Sequence, residues 1–221
     1  MKKIVLLGGG QHVSYCIDII EKEKKYCIIG ITDPNLKVGT EIMGYKIIGK
    51  QEDIKELITK YNIEAGIITI GDNWTRKVVY DKIINLIPDF EFVSSIHPSV
   101  IIGKNVEIGK GTVIMAGCII SPNAVVGEFC FFATGAILEH DSLMGDFSSL
   151  SAGSVTGGKV IIGQYTAITL GVTLFDRIKI GEHTIIGSGS LVTKDIPSFV
   201  VAYGSPARVI KERKIGEKYL K

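Results

Sequence analysis

From Ile102 onward the chain places a large apolar residue at every sixth position. The series is Ile102, Ile108, Ile114, Ile120, Val126, Phe132, Leu138, Met144, Leu150, Thr156, Ile162, Ile168, Leu174, Ile180, Ile186 and Val192. Thr156 is its one polar member, and no insertion breaks the count. Four residues after each comes a second series of mostly small or β-branched residues, among them Thr112, Cys118, Ala124, Ser142, Ser148, Ser154 and Thr184. Glycine directly follows the apolar position at Gly103, Gly109, Gly127, Gly145, Gly157, Gly163, Gly181 and Gly187.

A helix needs apolar positions at a period of about 3.6, and a half-buried strand at a period of about two. A strict period of six satisfies neither. It fits short strands joined by tight turns, with one large and one small residue pointing inward on each side of a prism. Three sides make one coil, so residues 18 apart are expected to stack. Each coil buries its face only against the next, which is why many are needed. Glycine beside each turn is expected to supply backbone angles that other residues resist. The fold this pattern specifies is a parallel β-helix, from about residue 96 to about residue 195.

The composition agrees with a folded chain. Of 221 residues, 46% are hydrophobic and 22% charged, which argues against disorder. A net charge of +2 leaves no footprint for nucleic acid. No apolar run reaches the roughly 18 residues of a membrane span. Met1–Leu7 starts like a leader peptide, but Gly8-Gly9-Gly10 follows at once, so it reads as a buried first strand. Cys16, Cys27, Cys118 and Cys130 lack metal-site spacing and read as small apolar residues of a reduced, cytoplasmic protein.

Residues 1–93 follow another rule. Strands are expected at Lys3–Leu7, Cys27–Thr32 and Glu64–Ile70, and helices at Val13–Glu21, Gln51–Lys60 and Thr75–Leu86. This alternation favours a small Rossmann-like, parallel α/β domain, joined through Pro88–Pro98 to a second domain over 94–221. In such sheets ligands bind beyond the C-terminal strand ends. Those ends carry the candidates Gly10, Gln11, His12, Asp33, Gly71 and Asn73. The glycine turn is an incomplete dinucleotide fingerprint, because Val13 stands where the third glycine belongs. A dinucleotide cofactor, a single nucleotide phosphate and ribose with Asp33 at the ribose, or glycines that merely turn the chain are three readings. The second fits best.

Three motifs carry a resemblance to a known family: Ile-Gly-Lys-Asn-Val-Glu-Ile-Gly-Lys-Gly (102–111), Ile-Ile-Gly-Ser-Gly-Ser-Leu-Val-Thr-Lys-Asp-Ile-Pro (185–197) and Gly-Ser-Pro-Ala-Arg (204–208). They resemble the left-handed β-helix, hexapeptide-repeat acyltransferases; the handedness comes from that resemblance. With the α/β domain in front, the chain looks like N-acetyltransferases of nucleotide-linked 4-amino-4,6-dideoxy sugars and sialic acid O-acetyltransferases of surface polysaccharide biosynthesis. The resemblance implies a homotrimer, acetyl-CoA bound between subunits, and a nucleotide-linked sugar held by the N-terminal domain. Matching positions give Ser149, Gly158, Leu170 and Ser188 as CoA contacts; Ser149 departs from the family, whose closest members have a second histidine there.

Register turns His140 outward, two places after the inward Leu138. Leu138-Glu139-His140-Asp141 matches the family's catalytic histidine followed by an acid, which makes His140 the expected general base and Asp141 its partner. Gly158 is expected one coil away, beside the Thr156 interruption, with free backbone groups for a thioester arm. His12 is expected to touch nucleotide, His97 to be structural, and His183 to be exposed on an outer turn. The spacing of His97, His140 and His183 does not suggest a shared metal, so none is expected. The tail, 208–221, holds six basic and two acidic residues; Arg208 or Lys211 would meet CoA phosphates, or the tail is simply solvated. Three functions stay open: N-acetylation of a nucleotide-linked amino sugar, O-acetylation of sialic acid or a related sugar, and a non-catalytic trimeric scaffold.

Overall fold

The computed structural model describes residues 1–219; Leu220 and Lys221, the end of the basic tail, lie outside the described residues. The N-terminal sheet contains β1 (Lys2–Leu7), β2 (Tyr26–Thr32), β3 (Glu41–Ile42), β4 (Tyr45–Gly49) and β5 (Ala65–Ile68), in the order β3-β4-β2-β1-β5. β1 runs parallel to β2 and β5, and β2 runs parallel to β4. The helices are α1 (His12–Glu23), α2 (Ile54–Tyr61) and α3 (Asn73–Leu86). Asp72 caps α3 by accepting the Thr75 N–H at 2.8 Å. The antiparallel β3–β4 hairpin is not visible in the sequence. Its two-residue turn, Met43-Gly44, has positive φ at both residues (48° and 85°), and methionine hides a turn usually marked by Asn or Asp.

The second half is a parallel β-helix of two-residue strands stacked on three faces. The first face begins at Ser95–Ile96 and passes through Phe131–Phe132, Ser149–Leu150 and Ile185–Ile186. The second includes Ile137–Leu138, Val155–Thr156 and Thr173–Leu174, and the third Val125–Val126, Leu143–Met144 and Ile161–Ile162. Coils pair in an 18-residue register, for example Ile119 with Ile137 and Phe131 with Ser149. Both inward series are buried from Thr112 to Val192, with Thr156 among them. A hairpin, Val200–Gly204 with Ala207–Glu212, closes the end of the first face.

The glycines after the apolar positions have a different cause from the one expected. Their φ angles are ordinary, but the next coil leaves no room for a side chain. A Cβ on Gly109 would lie 2.5 Å from the Gly127 backbone, and one on Gly145 would lie 2.6 Å from Gln164 N. Positive φ occurs instead inside the corners, in three columns. One is glycine (Gly117, Gly135, Gly153, Gly171, Gly189). Another is Asn105, Asn123, Asp141, Lys159 and Arg177. The third starts at Gly111 and continues with Phe129, Phe147, Tyr165, His183 and Phe199.

That third column corrects the expectation for His183, which is buried rather than exposed. Its ring stacks on Tyr165 at 4.5 Å and Phe199 at 5.0 Å, continuing the stack of Phe129 on Phe147. α3 lies against this ladder through Tyr80 on Phe129 and Trp74 on His183. Two apolar clusters therefore contain residues of both halves: one joins Val5 and Ile83 to Phe129 and Phe147, the other Ile4 and Ile17 to Val113 and Phe131.

Burial lowers the pKa of His183, with the Arg213 cation acting the same way and Glu182 opposing. The unfolded chain then takes up a proton that the folded chain resists. Stability is full above the ordinary histidine value of about 6.5 and declines as pH falls from there toward the folded value. His12 is shifted in the same direction, by burial and by Arg76. His183→Phe, at a backbone geometry already occupied by Phe129 and Phe147, is expected to flatten the loss of thermal midpoint between about pH 7 and 5. An unchanged slope would remove His183 as a source of acid sensitivity.

Candidate active site

His140 stands on the corner between the second and third faces. Its side chain is 53% exposed, and Nδ1 lies 2.8 Å from Asp141 Oδ2. Asp141 Oδ1 accepts from Asn123 Nδ2 at 3.0 Å, and Asn123 Oδ1 accepts from Asn105 Nδ2 at 3.1 Å. The hydrogen bond from His140, then that from Asn123, holds the Asp141 carboxyl below the usual carboxylate range. The carboxylate therefore stays ionised and fixes the ring. An ionised carboxylate only accepts, so Nδ1–H donates to it, and in a neutral imidazole the lone pair is then on Nε2. Asn123 was not singled out above, although it stands 18 residues before Asp141 in the same corner column.

Gly158 lies one coil from His140 as the register requires. A Cβ there would be 2.5 Å from His140 Nε2, so only glycine leaves the ring in place. Its amide is not free as expected: Gly158 N–H donates to Asp176 Oδ1 at 2.9 Å. A shallow cavity of about 450 Å³ lies alongside, lined by Thr156, Gly157, Phe175 and Asp176.

A larger cleft, about 680 Å³, opens between the two halves. His12 and Gly71 line it from the α/β side, and Ser149, Leu170 and Ser188 from the β-helix. Lys211 and Tyr219 reach it from the tail. His12 packs on Phe131 at 4.9 Å, and its ring fills the space that a Cβ on Gly71 would need. Ser149 Oγ is 3.1 Å from the Tyr219 hydroxyl, which also donates to Gly71 O at 3.3 Å. No repeat or motif marks Tyr219; its position follows from the path of the tail.

The other expected residues divide. Gly10 and Gln11 are exposed at the end of β1, without lining the cleft. Asp33 accepts the Gly9 N–H at 2.8 Å on one oxygen and the Asn35 and Leu36 N–H groups on the other, so it shapes the glycine turn. Asn73 is a correction: it is buried, donates to Thr166 O at 3.0 Å and accepts from Arg76 at 2.9 Å. Its amide nitrogen reaches across to the β-helix and its oxygen is taken by Arg76 of the same helix, and Asn73 does not line the cleft. The positions expected to meet CoA fall on two edges of the prism. Leu170 and Ser188 are on the corner between the first and second faces with Ser149 on the first face beside it, while Gly158 is on the corner with His140.

His97 Nδ1 accepts the Ser99 N–H at 3.1 Å, a turn contact at the junction. Among the described residues no group of three or more His, Cys, Asp or Glu is placed to hold a metal ion. No helix of the described residues is long and apolar enough to cross a membrane. The four cysteines are free, and burial pushes the Cys16 and Cys130 thiols up to about 12, far from thiolate chemistry.

Comparison with known proteins agrees with this architecture. Residues 3–83 match the family model described as the PglD N-terminal domain. The UDP-N-acetylbacillosamine N-acetyltransferase of Bacillus subtilis is 32% identical over 118 residues, 52% of this chain and 52% of that protein. The chain thus spans about half the length of this curated relative. The crystal structure of PerB from Caulobacter crescentus, in complex with CoA and GDP-perosamine, superposes with a TM-score of 0.88 at 26% identity, covering 96% of this chain and 98% of that one. The acetyltransferase domain of PglB from Neisseria gonorrhoeae, in complex with acetyl coenzyme A, shares the fold at a TM-score of 0.86 and 23% identity, covering 95% and 99%. In its N-terminal domain, its coiled second half and these relatives, the chain is similar to sugar N-acetyltransferases.

Proposed function

We propose that this protein transfers the acetyl group of acetyl-CoA to the 4-amino group of a nucleotide-linked amino-deoxy sugar, with His140 as general base. The observation that carries this reading is the outward His140–Asp141 pair, with its 2.8 Å contact and bare Gly158 beneath the free Nε2. The acceptor nitrogen must be a neutral amine to attack the thioester carbonyl. Nε2 takes its proton as the new C–N bond forms. The C–S bond then breaks, and the proton held on Nε2 passes to the departing thiolate, which restores the base. No covalent acyl-enzyme is needed, and none of the buried cysteines is placed to form one.

The domain over 1–93 would present the nucleotide, and residues 94–221 would hold CoA. A cleft with His12 and Gly71 on one wall and Ser149, Leu170 and Ser188 on the other suits such a bridging role. Residues on two edges of one prism can serve a single site when one copy's edge faces a different edge of the next, as in a closed heterologous trimer. Val125, Leu143 and Ile161, stacked and exposed on the third face beside the His140 corner, are apolar enough for such a contact.

Mixing the protein with acetyl-CoA and UDP-, dTDP- and GDP-linked 4-amino sugars, and following free thiol, tests the reading. Release is expected with one of them. Release with free sialic acid and with none of the amino sugars would replace N-acetylation by O-acetylation. Absence of thiol release with every acceptor of both kinds would leave the scaffold.

A further inference from the structure

Thr156 is the single polar side chain in the large inward series, and it is buried. Its Oγ1 accepts the Glu139 N–H at 2.9 Å. Elsewhere on the second face, the residue after each strand donates to a backbone carbonyl of the next coil. Gly103 donates to Ile120 O at 2.7 Å, Ser121 to Leu138 O at 2.9 Å, Gly157 to Leu174 O at 2.7 Å and Phe175 to Val192 O at 3.0 Å. At Glu139 the hydroxyl takes over that rung, and the Thr156 carbonyl loses the bond its counterparts accept. Pairing between these two coils narrows to Ile137 with Val155, where neighbouring coils on this face pair two residues.

The displaced Leu138–Glu139 peptide stands one residue before His140. We propose that Thr156 is a positioning residue: its hydroxyl hangs the Leu138–Glu139 peptide off the backbone ladder and so sets the imidazole, one residue on, over Gly158. This rests on the reading of His140 as the base. A core threonine that only filled space would be replaceable by valine, which restores the apolar pattern of the other fifteen positions. Valine also lets the Glu139 N–H fall back onto the carbonyl, leaving no orphan donor. A small shift of the ring is enough to matter, because misplacing a catalytic group by about 1 Å costs as much as 10²-fold in rate.

The test measures Thr156→Val and Thr156→Ser beside wild type and His140→Ala. Thr156→Val is expected to keep or raise the thermal midpoint and leave both KM values within about twofold, while kcat falls about tenfold or more. Thr156→Ser, which keeps the acceptor oxygen, is expected to restore kcat. If valine unfolds the coil, Thr156→Ser against Thr156→Ala makes the same comparison, since both lose the methyl and only serine keeps the acceptor. Full kcat in a folded Thr156→Val, or no restoration by serine, overturns the proposal. An active His140→Ala overturns the reading of the base instead, so the two failures are distinguishable.

Discussion

Replacing His140 with alanine is expected to lower kcat by about 10²–10⁴-fold while CoA binding is retained. The ring is exposed, so its removal opens no core cavity, and the thermal midpoint should stay near that of wild type. The loss is chemical. Nε2 faces Gly158, and the Asp141–Asn123–Asn105 chain orients the ring from behind. A steady-state comparison on the acceptor identified in the sugar panel, with CoA affinity measured by calorimetry, checks both halves. Turnover within a few-fold of wild type would remove His140 from the chemistry and send the search to the larger cleft.

Replacing Arg76 with methionine is expected to cost at least about 3 kcal/mol, because carbonyls of both halves lose a donor where water cannot replace it. Arg76 extends from α3 into a buried pocket. Nε donates to Phe129 O at 2.8 Å, Nη1 to Ile70 O and Gly71 O at 2.9 and 3.0 Å, and Nη2 to Asn73 Oδ1 and Phe147 O at 2.9 and 3.1 Å. Burial lowers its pKa, and Tyr219 and Asp72 are among the groups that oppose the shift. The planar fork serves two successive corners of the β-helix and the end of β5 together, which a lysine point charge cannot do. In a chain of this size the loss corresponds to a fall in midpoint of about 6–12 °C. Faster hydrogen exchange is expected in α3 and at the Phe129 and Phe147 corners. A midpoint within about 2 °C of wild type would show that the joint is held by the aromatic ladder alone.

Much of this molecule is determined by a purely local property. A period of six dictates two-residue strands, an 18-residue stacking register, and which side chains point in or out, since each follows from counting along one chain. His140 on an outer corner, Gly158 beneath it and Thr156 in the core were therefore legible before any coordinates. The same count, 18 residues back from Asp141, is the signal that would have found Asn123. Tertiary structure decided whatever depends on two distant segments meeting. The glycines after each strand are required by the approach of the next coil, not by their own φ. His183 is buried because α3 lays Trp74 across its corner. Asn73 leaves the cleft because Thr166 and Arg76, 93 and 3 residues away, take both ends of its amide. Arg76 itself left one faint sign, as one of only four arginines among 25 basic residues. Of the positions expected to meet CoA, Ser149, Leu170 and Ser188 line the cleft because the α/β half packs along their edge of the prism, whereas Gly158 lies on the His140 corner away from it.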